Sequence, residues 1–469
     1  MVIPMLDSHG DMSTSYLLKS PSDVARAGRR ITRWASVFAA AFLVLVSVFA
    51  AGCAATEGPR GDGAASEERD ADATAGAAPR LAPADSTVRT VQLYAGDDER
   101  RLPVYALGSE ETLTLEFDLM AKQGRPLSVY FYHANRQWER DASPGRYLDG
   151  FRSGELLDYT RARGTGVPYV HYTYRFPARD VGFEASGNYI LRVTEQGEEE
   201  DVLFERPFFV TERAGNIDLN LEEVRLGTQP SLSDRPTARY RPPPGLSDNP
   251  FDLSACFVPG ARLRQARCVD DPEPSTQPVM EFEVPYRESF APGTAAFFLD
   301  LARLESGAEI ASVDRRPTPL RVTLETDYAD FSRSGRPPLL GDQPVVRRAG
   351  LIASDPAVSA EYAAMRFRFA PPGGRRLQGP LVVTGSFHDG PLDEAPRLRW
   401  HPTQGHYEDT VLLKQGLYEY RYASPDPRLQ KALAQNARPA RRRYAAFIYY
   451  RDASLGSDRL LSVSEKQAQ

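Results

Sequence analysis

From Arg89 onward apolar and polar residues alternate with a period of two, which is the pattern of strands buried on one face. TLTLEFDL (112–119) sets Leu113, Leu115 and Phe117 on one side, and SVYFYH (128–133), YVHYTYRF (169–176), NYILRVTE (188–195) and VLFERPFFV (202–210) continue the series. Turn-forming residues such as Ser186-Gly187 join them. Such a series predicts an antiparallel β-sandwich over 87–212. A Pro-rich passage, GTQPSLSDRPTARYRPPPGLSDNP (227–250), then reads as an insertion or linker. Strand patterns return at VMEFEVPYR (279–287), TAAFFLDLARL (294–304) and LRVTLETDY (320–328), giving a second β domain over 213–350. MRFRFA (365–370), LVVTGSF (381–387), RLRWH (397–401), EDTVLL (408–413), GLYEYRYA (416–423) and YAAFIYY (444–450) predict a third over 351–469, with PRLQKALAQN (427–436) a short helix or a loop. The fold class expected is all-β, as tandem antiparallel sandwiches of the immunoglobulin or E-set kind.

The N-terminus obeys a different pattern. Lys19, Arg26, Arg29, Arg30 and Arg33 lead into an unbroken apolar run from Ala35 to Ala51, the charged-then-apolar order of an export signal over 1–52. Ala50-Ala51-Gly52 places small side chains before Cys53, as lipoprotein processing requires, so Cys53 is the candidate lipidation site. The same run also suits a membrane anchor at the short end of spanning length, or simple cleavage. Residues 54–80 hold no aromatic and almost no branched aliphatic side chain, so 53–86 is expected to be a disordered tether.

Composition narrows the function. The formal charge is −6, and the first 52 residues, with five bases and three acids, leave the remainder near −8. That excludes a sequence-independent nucleic-acid binder, which needs a basic surface. An exported chain meets an oxidising compartment, where Cys256 and Cys268 are expected to bridge; burial as two single thiols is the alternative. No GxSxG, HExxH, P-loop, GxGxxG or paired CxxC string is present, so no catalytic residue, metal or cofactor is assigned. His388, His401 and His406 read as loop residues. Tyrosines two apart, such as Tyr418, Tyr420 and Tyr422, share a sheet face and suit a core or an exposed aromatic stripe.

In order along the chain, RTVQLYAGDDERRLPVYALGSEETLTLEFDL, VYFYHANRQW, RYLDGF, LLDYT, VPYVHYTYRFP, SGNYILRV and RPFFV together resemble the N-terminal domain of the type IX secretion system plug proteins. LVVTGSF, LLKQGLYEYRY and YAAFIYYRDASLGSDRLLS extend the resemblance toward the C-terminus. The chain reads HANRQW where the family shows an HCDADW-like string, and ARPARRRY where it shows a TENxY-like one. The resemblance implies a non-enzymatic lipoprotein on the periplasmic face of the outer membrane, partnered with the translocon barrel and occluding its pore. The string Arg146–Phe151 follows a turn-prone SPG and mixes aromatic, acidic and glycine residues unlike a clean strand, which makes it the candidate contact, with Tyr147, Asp149 and Phe151 as partner-binding residues. Tyr147 and Phe151 capping the core is the alternative. A second class is a glycan-binding lipoprotein, since GSF followed by LxxGLYEYRY resembles carbohydrate-binding E-set modules.

Overall fold

The computed structural model describes residues 78–468 apart from 228–231, 247–248, 275–278, 292–295, 331–341, 352–354, 389 and 436–441. The export segment and Cys53 lie outside the described residues. The chain is all-β, built from sheets of mainly antiparallel strands packed in pairs, with parallel pairings in two of them.

The first pair holds β1 (Val88–Ala95), β2 (Val104–Ala106), β3 (Leu113–Leu119), β4 (Leu127–Ala134), β5 (Leu148–Gly150), β6 (Ser153–Leu156), β7 (Tyr159–Arg161), β8 (Val170–Phe176), β9 (Val181–Phe183), β10 (Gly187–Glu195) and β11 (Val202–Thr211). One sheet runs β1-β3-β8-β7 and the facing one β2-β11-β10-β4-β6, while β5 and β9 form a separate two-stranded ribbon. Alternation along β3 sends Leu113, Leu115, Phe117 and Leu119 inward against Phe131, Phe176, Phe204 and Phe208. Edge-on ring contacts, such as Phe131 to Phe208 at 6.0 Å, knit this core. The ordered body begins earlier than the tether expected over 53–86. Glu205 N–H donates to the carbonyl of Ala82 while Ala82 N–H donates to the Glu205 carboxylate, and Leu81 packs on Tyr130, Tyr132 and Ile190. One leucine and an edge left free by the short β2 suffice to dock residues that composition assigned to the tether.

Next come β12 (Asn216–Val224), β13 (Ser233–Arg241), β14 (Leu253–Pro259), β15 (Arg267–Val269), β16 (Glu273–Pro274), β17 (Met280–Glu283), β18 (Phe297–Asp300), β19 (Ile310–Asp314), β20 (Leu320–Leu324), β21 (Asp327–Tyr328), β22 (Tyr362–Ala370), β23 (Val382–Gly385), β24 (Arg399–His401), β25 (His406–Lys414), β26 (Leu417–Ala423), β27 (Arg442–Asp452) and β28 (Ser457–Ala468). A third sandwich sets β18-β26-β23 against β19-β20-β22-β25-β24. Tyr418, Tyr420 and Tyr422 are buried in its core, so that stripe packs inward. PRLQKALAQN is helical over Pro427–Gln435 and buries Leu429 and Leu433.

The strands do not follow a boundary at 350. The middle sandwich sets β12-β13-β17-β16 against β15-β14-β27-β28, so its second sheet is completed by the last two strands of the chain. β14 pairs with β27 from Leu253↔Tyr450 to Pro259↔Tyr444, and Tyr444, Ala446 and Ile448 share a core with Tyr240, Phe257 and Phe282. The physical reason is that the period of two fixes which face of a strand is apolar but not which strand it joins. Cys256 and Cys268 stand opposite each other on β14 and β15 and are joined by a disulfide, with their Cα atoms 4.0 Å apart.

Candidate docking surface

The string Arg146–Phe151 folds as a turn of 3-10 helix (Pro144–Arg146) followed by β5, which pairs Leu148, Asp149 and Gly150 with Phe183, Gly182 and Val181. Its three candidate residues part ways. Tyr147 is only 1% exposed; its hydroxyl donates to the carbonyl of Phe131 at 3.0 Å and its ring meets those of His133 and Tyr189. It is a core residue and not a contact, because the 3-10 turn rotates it inward between two strands. Asp149 is exposed on the ribbon. Phe151, 68% exposed, stands at the ribbon's tip, where its N–H donates to Asp180. Gly150 makes that tip, with φ +98° and a carbonyl of Asp180 only 2.5 Å from where a Cβ would stand.

At the ribbon's base, Glu184 N–H donates to the carbonyl of Tyr147. Beside it opens a cleft of about 660 Å³, lined by Arg146, Glu184, Ser186, Glu212, Asp452 and Leu455 among others. The far wall is the turn between β27 and β28, which Arg146 holds through a 2.5 Å hydrogen bond to the carbonyl of Ser454. Asp452 organises that turn by accepting from the backbone of Ser454 and Leu455, while Arg459 Nη1 reaches it at 3.0 Å. Burial opposes ionisation of Asp452, but these donors win and hold its carboxyl at about 2. Arg459 also grips Glu212 with two hydrogen bonds, at 2.7 and 2.6 Å. Both walls are therefore rigid.

The largest buried polar constellation lies elsewhere, between the outer face of β1-β3-β8-β7 and the third sandwich. Asp118 on β3 accepts from Lys414 Nζ (2.6 Å) and Tyr362 (2.7 Å), with His171 Nδ1 at 2.8 Å. Lys414 Nζ also donates to Ala357. Glu116, two residues back on the same face, accepts from Tyr94 at 3.0 Å and from Arg347 Nε at 2.7 Å. Glu99, fully buried, accepts from the backbone N–H groups of Val346, Arg347 and Arg348. Burial disfavours charge throughout, yet hydrogen bonds from His171 and Arg347 lower the Glu116 carboxyl to about 2, and bonds to Asp118 and Glu116 raise His171. These groups bind one part of the chain to another.

The opposite face of the first sandwich meets the middle one. Phe209 stacks on Phe447 with centroids 4.4 Å apart, Trp138 packs on Phe209, and Tyr449 donates to Asn188 at 2.8 Å. Gly187, at φ +150°, lets β10 pass here, since a Cβ would stand 2.4 Å from His133 Nε2. Of the loop histidines, His401 and His406 face each other across β24 and β25. Among the described residues no three His, Cys, Asp or Glu side chains are grouped to hold a metal.

The class these observations define is an all-β protein of interlocked sandwiches whose candidate site is a loop-end surface. Residues 88–212 match the family described as the type 9 secretion system plug protein first domain, which is the span of the first sandwich. The match gives this chain a first domain of the type 9 secretion system plug kind. A crystal structure of a hypothetical protein from Parabacteroides merdae shares the fold, with a TM-score of 0.73 at 21% identity over 84% of this chain and 100% of that one. The partial N-terminal region of the enterococcal surface protein aligns at a TM-score of 0.17 and 8% identity over 82% and 95%. Native Escherichia coli alpha-2-macroglobulin aligns at 0.16 and 11% over 85% and 23%. No curated protein matches the chain.

Proposed function

We propose that this protein is a non-enzymatic plug that docks on the periplasmic side of the type IX translocon barrel and occludes its pore. The observation that carries the reading is the plug-domain match over 88–212. A very wide barrel encloses an aqueous channel, and a folded body seated at its mouth closes it without chemistry. Rigidity supports the reading, because both faces of the first sandwich are fixed to the rest of the chain by buried contacts. Sugar-binding modules of the E-set kind bind with exposed tryptophan rings, whereas Trp138 and Trp400 are half-buried against Phe209 and Tyr407.

The test is dye uptake in deletion strains. Loss of the plug is expected to raise uptake only in cells that retain the barrel; equal uptake with and without the barrel overturns the sealing role. In this reading Cys53 carries the lipid that holds the protein on the outer membrane. Cys53→Ala then moves it from the membrane fraction to the soluble periplasm, and unchanged retention without lipid rejects the anchor.

A further inference from the structure

Phe151 and Phe251 are the two most exposed large apolar side chains among the described residues, at 68% and 71%. They are far apart in sequence and belong to different sandwiches. The fold brings them to opposite sides of one feature. Phe251 lies in the 3-10 turn Pro250–Asp252 that leads into β14, and β14 begins with Leu253 opposite Tyr450. That turn packs against β27, whose last residue, Asp452, lines the cleft, so Phe251 lies near the cleft's far wall without lining it. Phe151 lies four residues along the ribbon from Tyr147, or roughly 13 Å from the near wall at strand spacing.

We infer that Phe151, the cleft and Phe251 form one docking face, and that its occupant is a polypeptide turn of the translocon barrel. The inference rests on the plug reading and adds to it the surface used. Three features favour a protein partner over a lipid surface. Charges are mixed: Arg146, Arg152 and Arg179 alternate with Asp149, Asp180 and Glu184 around the ribbon, where an anionic membrane would select a basic cluster. The cleft, at about 660 Å³, has room for several residues and mixes apolar lining with the polar groups of Arg146, Glu184 and Ser186, which suits a turn whose backbone needs hydrogen-bonding partners. Glu184 has no side-chain partner among the described residues, and Arg146 meets only a carbonyl, so the cleft offers one acid and one base to an incoming segment. Exposed aromatic anchors around a preorganised polar centre are what protein interfaces use.

The test uses the purified chain and the detergent-solubilised barrel. Phe151→Ser with Phe251→Ser is expected to weaken binding about tenfold or more, the loss typical of truncated anchors. Tyr286→Ser, on the 3-10 turn Tyr286–Glu288 and 47% exposed, is expected to change it less than about twofold. The melting temperatures of both variants should match the parent, because the rings are exposed. Unchanged affinity in the double variant, or an equal loss in Tyr286→Ser, overturns the face while leaving docking intact. Absence of binding by the parent chain overturns the plug reading and this face with it. Loss of binding to anionic vesicles with barrel binding retained would replace the protein partner by a lipid one.

Discussion

On one side of the first sandwich, Asp118, Glu116 and Glu99, with His171 beside them on the same sheet, meet Lys414, Arg347 and the backbone of Val346–Arg348 across a buried seam. On the other side, Phe209 stacks on Phe447 with Trp138 beside them, and Leu102, Leu460 and Ala445 fill the surroundings. The two seams bury comparable elements by opposite chemistry. An apolar seam stabilises in proportion to area and tolerates a small shift of its rings. A charged one gains little net energy, since desolvation cancels most of the Coulomb attraction, but any misplacement strands an ion in low dielectric. The first seam therefore fixes orientation and the second supplies adhesion. Retaining both suits a body that must present one fixed end, with the ribbon and the β27–β28 turn on it.

Breaking one charge should give the largest effect. Lys414→Met leaves Asp118 buried with a single cationic neighbour, and is expected to cost about 3–5 kcal/mol in denaturant unfolding. Adding Asp118→Leu should recover much of that loss, because no stranded ion remains. A double variant as unstable as the single one would show that the seam acts through packing alone. The apolar seam should answer differently. Phe447→Ala is expected to cost about 3 kcal/mol, the usual penalty for emptying a buried aromatic site. No second substitution on Phe209 should restore it, and a recovery there would erase the contrast.

Half of this contrast was legible in the sequence. Alternation located β3, β4, β8, β10 and β11 nearly to the residue, since each buries one apolar face. The same alternation misreads Thr114, Glu116 and Asp118, which occupy the polar positions of TLTLEFDL and would ordinarily face water. All three are buried, because a second domain covers that face. Nothing local distinguishes a solvated carboxylate from one awaiting a lysine 296 residues away. Lys414 offered a faint signal, being one of five lysines in an arginine-rich chain. HANRQW offered another: His133, Arg136 and Trp138 all serve the seam with the middle sandwich, through Asp141, Asp458 and Phe209. The turn before the string was readable from SPG, but the short strand Leu148–Gly150 was not, since the string mixes residue types that a strand pattern would separate. Which of its side chains turns outward was not readable either, because Tyr147 and Phe151 are both aromatic and only the 3-10 turn separates their fates.

The two seams should also part under titration, with the smallest of the effects. Glu116 is held at about 2, well below its ordinary 4.5, so the stability it contributes is present above pH 4.5 and is lost as pH falls toward 2. His171 is raised above 6.5 despite its burial, by hydrogen bonding to Asp118 and Glu116, with Lys414 opposing. Its contribution is complete below pH 6.5 and is lost as pH rises through the higher folded value. The protonated ring also balances the seam, setting three cations against the three carboxylates Glu99, Glu116 and Asp118. The charged seam is thus strongest between about pH 4.5 and 6.5, whereas ring stacking of Phe209 on Phe447 does not titrate. Urea midpoints measured from pH 5 to 9 should decline above 6.5 in the parent and in Phe447→Ala alike. In His171→Gln the curve should start lower and stay flat over that range, since the glutamine amide keeps a donor near Asp118 but carries no proton to lose. A parent curve that is level from pH 6.5 to 9, or a His171→Gln curve that declines with it, would assign the seam's strength to Lys414 and Arg347 alone.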